Sequence, residues 1–406
     1  MKFRWQETYL REMLQERRGV HLTGARQCGK TTLAEYIANN KMPHLTLDNE
    51  QYLQAAKNDP YSFITQPKRN GTLIIDEIQK APELLNAIKI QIDHDNSPGQ
   101  YLITGSSNLR FAKAVKDSLA GRLGRIRLRT FSLGEIVGGK GDFLKKAFNE
   151  DFQTDCISLD KRSLIHQAFC GGYPEPLNFS AKSRKAWYIE YMDDLLTKDI
   201  QDVTEIRKAD SIKIVANWIL AYSSKFFDLK SLCTAAQISK DTLNNYIAGL
   251  KSLYIIDEVH PWSDSDYSKI GKRSKYFATD SGLIANILGW NEETVFYDSE
   301  TCGKLIETWV YQQLASLSDL DLGYEISQYR DSNKREIDFV IKNAEGNLLG
   351  IEVKAGAVST DDFKHLKWFA KNLAKTKFIG IVLYSGKDVL SFGDKLYAVP
   401  LSHLGA

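Results

Sequence analysis

The chain has 406 residues, of which 43% are hydrophobic and 26% are charged, as in an ordinary soluble protein with room for roughly two to four domains. Its formal net charge is only +2, which excludes a global electrostatic attraction to nucleic acid or membranes. The five cysteines are widely scattered and form no C-x-x-C pair, so neither a structural zinc site nor a disulfide framework is expected.

The first predicted elements are a short strand over residues 19–23 and a helix over residues 32–38. Between them, residues 24–31 form a complete G-x-x-x-x-G-K-[ST] phosphate-binding loop, whose glycines let backbone N–H groups point at phosphate oxygens. Lys30 would reach the β- and γ-phosphates, and Thr31 would ligate Mg²⁺. The predicted nucleotide-binding residues of this segment are Gly24, Ala25, Arg26, Gln27, Cys28, Gly29, Lys30, Thr31 and Thr32.

The next apolar run, Leu73 to Ile75, ends in Asp76 and Glu77. This pattern is typical of a buried parallel strand whose carboxyl end faces a ligand. Asp76 would hold Mg²⁺ directly or through water, and Glu77 would act as the general base that activates the attacking water. The alternative is a strand that simply ends in solvated acids.

A third strand is predicted over residues 101–104, and the polar turn after it contains Ser107 and Asn108. Either side chain could orient the water or contact the γ-phosphate, although an ordinary turn explains them equally well. Arg122 is the candidate for stabilising charge on the transferred phosphate, with a structural salt bridge as the alternative. Arg127 and Arg129 alternate with apolar residues, which predicts the solvated face of a strand.

After residue 163 the pattern becomes helical, and residues 228–259 have a distinctive order. Two helices over 228–236 and 240–250, a short turn between them and a strand over 254–259 are typical of a winged helix-turn-helix. A basic wing is expected at Lys269, Lys272, Arg273 and Lys275. Because the helix pair is electrically neutral, DNA contact and a packing or protein-contact role both remain open.

The last hundred residues return to an α/β pattern, with a helix that carries Glu307 and a predicted hairpin over residues 336–354. Asp338 and the Glu352-x-Lys354 sequence form the D…ExK arrangement of metal-dependent nucleases. Strand alternation places Glu352 and Lys354 on one face. Asp338 and Glu352 would bind Mg²⁺, Lys354 would orient the water, and Glu307 could complete the metal shell.

In this order of parts the chain resembles a widespread prokaryotic family of predicted ATPases. There an AAA-type P-loop domain precedes a winged helix and a C-terminal domain of the PD-(D/E)XK nuclease-like type. The matching segments are residues 24–32, 73–79, 104–108, 118–122, 171–175 and 275–283, together with Glu307, Asp338, Glu352 and Lys354. The resemblance implies ATP, Mg²⁺ and a prokaryotic cytosol. Cys28 departs from the family's usual small aliphatic residue and would add a thiol that is either reactive or a neutral filler.

We therefore predict an α/β protein with four parts. These are a P-loop AAA-type ATPase domain over 1–136, a helical region over 137–225, a winged helix-turn-helix over 226–290 and a PD-(D/E)XK nuclease-like domain over 291–406. The expected function is Mg²⁺-dependent ATP binding and hydrolysis coupled to a DNA-binding C-terminal module, with cleavage of DNA by that module left open. The alternative is an ATP-driven switch whose nuclease-like domain is catalytically silent and only binds DNA or a protein partner.

The expected partners are a nucleotide and DNA, and self-association into a homo-oligomer is also open. The N-terminus lacks the apolar core of a signal peptide, and no segment approaches the ~18 apolar residues of a membrane span. We therefore expect a cytoplasmic protein without a membrane partner.

Overall fold

The computed structural model describes residues 2–39, 41–65, 71–105, 119–153, 159–200, 209–263, 273–321 and 323–406. The chain divides into two compact units, and each is assembled from three separate segments. Unit 1 contains Met1–Thr130, Asp194–Arg207 and Asn245–Tyr254, whereas unit 2 contains Phe131–Asp193, Lys208–Asn244 and Ile255–Ala406.

Unit 1 is built on a five-stranded parallel sheet with the strand order β2-β3-β4-β1-β5. Every residue of β1 is buried, and even His21 stays neutral there, because burial together with Arg125 and Lys30 lowers its pKa to about 3. A parallel sheet aligns the carboxyl ends of its strands, so residues after β1, β3 and β4 meet at one edge. The strands are β1 (Gly19–Gly24), β2 (His44–Thr46), β3 (Leu73–Asp76), β4 (Tyr101–Thr104) and β5 (Leu123–Leu128).

The described helices of this part of the chain pack apolar side chains against the sheet. Leu84, Leu85, Ile88 and Ile92 of one helix join Leu73 and Ile75 of β3 in a common core, which fixes the strand that carries Asp76. The helices are α1 (Gln6–Glu16), α2 (Lys30–Ala38), α3 (Glu50–Asn58), α4 (Pro60–Thr65) and α5 (Leu84–His94).

Unit 2 contains a six-stranded mixed sheet in the order β12-β13-β11-β10-β9-β8 and a separate antiparallel hairpin of β6 and β7. In the large sheet β10 pairs antiparallel with β9 and parallel with β11. The strands are β6 (Ile256–Val259), β7 (Lys275–Ala278), β8 (Glu325–Arg330), β9 (Glu336–Lys342), β10 (Leu348–Lys354), β11 (Phe378–Tyr384), β12 (Leu390–Gly393) and β13 (Leu396–Pro400).

Helices precede and accompany the strands of unit 2. The longest is α15, whose residues between Leu305 and Leu317 are all buried. The helices are α6 (Leu133–Val137), α7 (Phe143–Phe148), α8 (Lys161–Cys170), α9 (Ala181–Asp194), α10 (Ala209–Ala221), α11 (Leu229–Ala236), α12 (Lys240–Ser252), α13 (Ser281–Ile287), α14 (Glu292–Tyr297), α15 (Ser299–Ser318) and α16 (Lys364–Asn372). From Asn245 onward, α12 belongs to unit 1.

A buried carboxylate, Asp280, joins several of these helices. One of its oxygens accepts from the Tyr188 hydroxyl (3.0 Å) and the Gly282 N–H (2.9 Å), and the other accepts from the Gly172 N–H (2.8 Å) and Gln312 Nε2 (3.3 Å). Since each donor belongs to a different part of unit 2, Asp280 fixes the turn after α8 against α9, α13 and α15.

The α/β class is confirmed, with a parallel sheet in the N-terminal part and a mixed sheet in the C-terminal part. The predicted strand containing Arg127 exists as β5, but Arg129 lies beyond its end and is only 8% exposed. The expectation that Arg129 faces solvent is therefore wrong. Its carbonyl oxygen accepts a hydrogen bond from the buried guanidinium of Arg4.

Candidate functional site

The phosphate-binding loop connects the end of β1 to the start of α2. A Cβ atom on Gly24 would lie 2.2 Å from the carbonyl oxygen of Leu128, so only glycine fits there. Gly29 caps α2 in a left-handed conformation (φ 101°), which a side chain would disfavour. The loop thus ends at a helix N-terminus, where free N–H groups and the helix dipole favour a bound phosphate.

Lys30 and Thr31 are the first residues of α2, directly after this loop. Lys30 is 5% exposed, and its Nζ donates to the carbonyl oxygens of Gly24 (3.1 Å) and Ala25 (2.8 Å). Thr31 Oγ1 donates to Asp76 Oδ2 (2.9 Å). The hydroxyl and carboxylate predicted to share a magnesium ion are therefore in direct contact across the sheet edge.

Asp76 and Glu77 end β3 in different environments. Asp76 is 2% exposed and also accepts a hydrogen bond from Thr104 Oγ1 at the end of β4. Glu77 adopts a left-handed backbone (φ 58°, ψ 41°), a strain of about 1–3 kcal/mol for a residue with a side chain. Its carboxylate accepts from Gln79 Nε2, and its own N–H donates to Thr104 Oγ1 (3.4 Å).

Two residues of this edge, Thr104 and Gln79, were given no role at the site from the sequence, although both lie in segments that match the resembled family. The position of Thr104 as the polar last residue of β4 was the signal that could have assigned it one. Ser107 and Asn108, the candidates named from the sequence, lie outside the described residues.

The remaining loop residues have less specific surroundings. Arg26 is exposed and forms a two-oxygen contact with the Asp199 carboxylate (3.1 and 3.2 Å), while Gln27 and Thr32 are exposed. Cys28 is 1% exposed, and its Sγ lies 3.4 Å from the carbonyl oxygen of Leu128. This burial fits the neutral filler, and a reactive thiol stays a prediction.

Arg122 forms a bidentate salt bridge with Asp93 of α5, with N–O distances of 2.7 and 2.9 Å. The structure thus contains the salt bridge that sequence reasoning gave as the alternative. A role for Arg122 at the transferred phosphate stays a prediction, and it would require this pair to open.

The second candidate site lies in unit 2 and brings the predicted carboxylates together. Glu307 of α15 is 4% exposed, Asp338 lies near the start of β9, and Glu352 lies near the end of β10. The antiparallel pairing of β9 and β10 places Asp338 beside Val353, whose N–H donates to Asp338 Oδ2 (2.9 Å). The three acids that the sequence separates by up to 45 residues share one neighbourhood.

A lysine that sequence reasoning assigned to a basic wing lies inside this cluster. Lys275 of β7 is fully buried, and its Nζ lies 2.7 Å from Glu336 Oε1, 3.1 Å from Glu307 Oε1 and 3.8 Å from Asp338 Oδ1. The wing assignment for Lys275 is therefore wrong. Lys269 and Lys272 lie outside the described residues.

The pKa values of the three carboxylates are shifted differently in this cluster. Burial would raise the pKa of Glu307, but Lys275 and Lys225, the latter at 2.8 Å, outweigh it and leave that pKa lowered. Burial and then the negative charge of Glu307 raise the pKa of Asp338 to about 6. Burial and then Asp338 raise the pKa of Glu352, whose Oε1 has no hydrogen-bond partner among the described residues. The ammonium groups therefore compensate Glu307 best and Glu352 least.

Lys354, the predicted water-orienting residue, bonds elsewhere. Its Nζ lies 3.2 Å from Asp362 Oδ1, a carboxylate that also accepts from the N–H and hydroxyl of Ser359. Glu336 and Lys225 belong to the cluster but were missed, because their sequence positions match no nuclease motif.

The donor set of this cluster does not fit a bound Mg²⁺. In the part of the chain that the structure describes, no group of three or more His, Cys, Asp or Glu side chains is arranged to hold a metal ion. Lys275 Nζ instead lies beside oxygens of Glu307 and Asp338, two of the three acids predicted to hold the metal, and also beside Glu336.

The predicted helix-turn-helix segment has the expected element order, with α11, α12 and the β6–β7 hairpin following one another. A cavity of about 750 Å³ lies between α11, the first turn of α12 and the hairpin. Its charged lining consists of the exposed cations Lys230, Lys240 and Arg273 and the acids Asp228 and Glu258.

Comparison with protein families separates the chain into three matched segments. Residues 16–137 match a family described as an AAA domain. Residues 161–294 and 302–404 each match a domain of unknown function, DUF8612 and DUF4143 respectively. The first match supports an AAA-type ATPase, in agreement with the phosphate-binding loop, while the boundaries of the four predicted domains stay predictions.

Two curated relatives extend over nearly the whole chain. They are uncharacterized proteins of Mycobacterium bovis and Mycobacterium tuberculosis, each 24% identical over 403 residues, which covers 97% of this chain and 82% of the relative. Among solved structures, a Walker-type ATPase of Pyrococcus abyssi is similar with a TM-score of 0.43 and 16% identity, covering 71% of this chain and 96% of that one. The RuvB Holliday junction branch migration motor of Thermotoga maritima has a TM-score of 0.30 and 16% identity, covering 62% and 88%.

No helix among the described residues is both long enough and apolar enough to span a membrane.

Proposed function

We propose that this chain binds ATP with Mg²⁺ and hydrolyses it. The observation that carries the proposal is the direct contact between Thr31 Oγ1 and Asp76 Oδ2 beside the phosphate-binding loop. A hydroxyl and a carboxylate at this spacing are hard oxygen ligands, and they fit one magnesium ion between them with little rearrangement.

The side chains at this edge have separable roles in the proposal. The loop N–H groups and Lys30 bind the phosphate oxygens, and Lys30 has a third ammonium proton beyond the two that reach Gly24 and Ala25. Bound Mg²⁺ would neutralise phosphate charge. Glu77 accepts the proton of the attacking water, held in place by Gln79.

The proposed ATP binding is tested by measuring ATP affinity calorimetrically for the parent chain, for Lys30→Ala and for a control, Lys80→Ala. Lys80 pairs with Asp48 at the surface of the same unit, so its loss removes one ammonium without touching the loop. We expect Lys30→Ala to weaken binding at least about tenfold, or about 1.4 kcal/mol, and Lys80→Ala to leave it unchanged. Equal affinity in all three proteins would refute the proposal.

We further propose that unit 2 contains a nuclease-like module that binds DNA without cutting it. Support comes from Lys275 inside the carboxylate cluster, and from the cations Lys230, Lys240 and Arg273 around the cavity next to the hairpin. Phosphate neutralisation by such side chains dominates nucleic-acid affinity. The competing candidates are a metal-dependent nuclease acting through Asp338, Glu352 and Lys354, and a module that binds a protein partner.

A binding and cleavage assay separates these candidates. It uses linear, nicked and branched DNA, with and without ATP, in Mg²⁺ or Mn²⁺. We expect binding that weakens with salt and no cleavage. We also expect Lys240→Ala to bind more weakly than the control Lys57→Ala, which removes an exposed lysine of unit 1. Cleavage that disappears in Glu352→Ala would establish the nuclease. Absence of any salt-dependent DNA binding would favour the protein partner.

A further inference from the structure

The cation inside the carboxylate cluster of unit 2 is a lysine ammonium. Lys275 Nζ lies 2.7 Å from Glu336, 3.1 Å from Glu307 and 3.8 Å from Asp338, and the side chain is fully buried. A buried ammonium is tolerated only where carboxylates compensate its lost hydration. These three acids supply that compensation, so the lysine and the cluster stabilise each other.

Lys275 and a divalent metal ion would need the same oxygens. Mg²⁺ takes hard oxygen ligands at about 2.1 Å, and Glu307 Oε1 and Asp338 Oδ1 lie beside the ammonium instead. Two cations sharing these oxygens would also repel each other in a site of low dielectric. Lys275 does not reach solvent in this arrangement, because its side chain is 0% exposed.

The lysine and the acids come from different parts of the sequence. Lys275 lies within the segment 161–294 that matches one domain of unknown function, whereas Glu307, Asp338 and Glu352 lie within the segment 302–404 that matches another. The lysine therefore belongs to the β6–β7 hairpin, which is separate from the large sheet that carries Asp338 and Glu352.

We infer that Lys275 is the resident cation of this cluster and that lysine and divalent metal exclude each other, so the nuclease-like centre is held without metal. The inference rests on the proposed nuclease-like character of the Glu307, Asp338 and Glu352 set. It does not depend on ATP hydrolysis by unit 1.

Mn²⁺ serves as the probe because it prefers oxygen ligands and is detected by electron paramagnetic resonance. Binding to the full chain is measured without nucleotide for the parent, for Lys275→Met and for the double variant Lys275→Met, Asp338→Asn. The control is Lys354→Met, which also removes one nearby ammonium but leaves Lys275 in place, since Lys354 bonds to Asp362.

We expect the parent and Lys354→Met to show no Mn²⁺ site that depends on Asp338. Lys275→Met should gain one site, at least about tenfold tighter than any in the parent, and the Asp338→Asn change should abolish it. A parent site of equal affinity that depends on Asp338 would overturn the inference, and so would the absence of a new site in folded Lys275→Met.

A second measurement covers the case in which Lys275→Met is unstable without metal. Thermal unfolding is then followed with and without Mn²⁺, and only the variant's midpoint should rise, because a ligand stabilises the state that binds it. Lys275→Arg keeps the positive charge and should gain no Mn²⁺ site, so a gain there would also contradict mutual exclusion. ATP affinity measured on the same proteins reports the proposed function of unit 1 separately.

Discussion

Replacing Asp338 with asparagine should stabilise unit 2 at neutral and alkaline pH. The Asp338 carboxyl is largely buried, at 15% side-chain exposure, and its pKa rises from 3.8 to about 6. That rise corresponds to about 3 kcal/mol of differential interaction between the protonated and ionised forms. Asparagine mimics the protonated form and keeps an oxygen that accepts from the Val353 N–H.

The way in which the stability gain of Asp338→Asn changes with pH follows from proton binding to Asp338. The folded state holds the Asp338 proton more tightly than the unfolded chain, so this carboxyl contributes stability below its unfolded pKa that is lost as pH rises through about 6. Asp338→Asn should therefore gain about 3 kcal/mol at pH 8. The gain should shrink to about 1 kcal/mol at pH 4.5.

Asp362→Asn is a matched control, for which the expected change in stability at pH 8 has the opposite sign. Burial would raise the pKa of Asp362, but hydrogen bonds from Ser359 and the bond from Lys354 outweigh it and leave that pKa lowered. Such a group contributes stability above its unfolded pKa, and this is lost as pH falls. Asp362→Asn should therefore lose stability at pH 8 and approach the parent in acid.

The measurement is urea-dependent hydrogen exchange of peptides covering β9 and β10, in EDTA so that no divalent ion engages the cluster. Peptide-level exchange reports unit 2 directly, which a global signal from a two-unit chain would not. A loss of stability in Asp338→Asn at pH 8, or a gain that does not depend on pH, would refute the electrostatic account.

Three further changes test other parts of the molecule. Glu77→Gln should keep ATP affinity and lower hydrolysis by roughly 10²–10⁴-fold, measured as phosphate release, and unchanged turnover would exclude Glu77 as the base. Asp280→Ala leaves several buried donors unpaired and should cost at least about 3 kcal/mol in urea unfolding, far more than Asp361→Ala at the surface. Gly24→Ala should weaken ATP binding because its Cβ would meet the Leu128 carbonyl at 2.2 Å, whereas Gly356→Ala, with open space around it, should not.

Sequence reasoning predicted the local parts of both sites. The loop from Gly24 to Thr31, the strand ending at Asp76 and the hairpin carrying Asp338 and Glu352 follow from short-range patterns, and each was found where expected. Such patterns work because strand alternation and turn geometry are set by neighbouring residues.

The partners of these residues depend on tertiary contacts and could not be read in the same way. In the sequence Lys275 belongs to a basic run, but in the fold its side chain is buried in the carboxylate cluster. Arg122 and Asp93 are 29 residues apart and meet only because α5 packs beside the sheet. A charged side chain in a sequence carries no sign of whether its counterion is solvent or another part of the fold.

The interleaving of the two units determines how this protein can be made and dissected. The chain passes between units at residues 130/131, 193/194, 207/208, 244/245 and 254/255. A ribosome must therefore translate through Tyr254 before the ATP-binding unit has all of its segments, and part of the other unit emerges first. No single stop codon separates the two, so an isolated ATPase fragment ending near residue 137 would lack two of its three pieces.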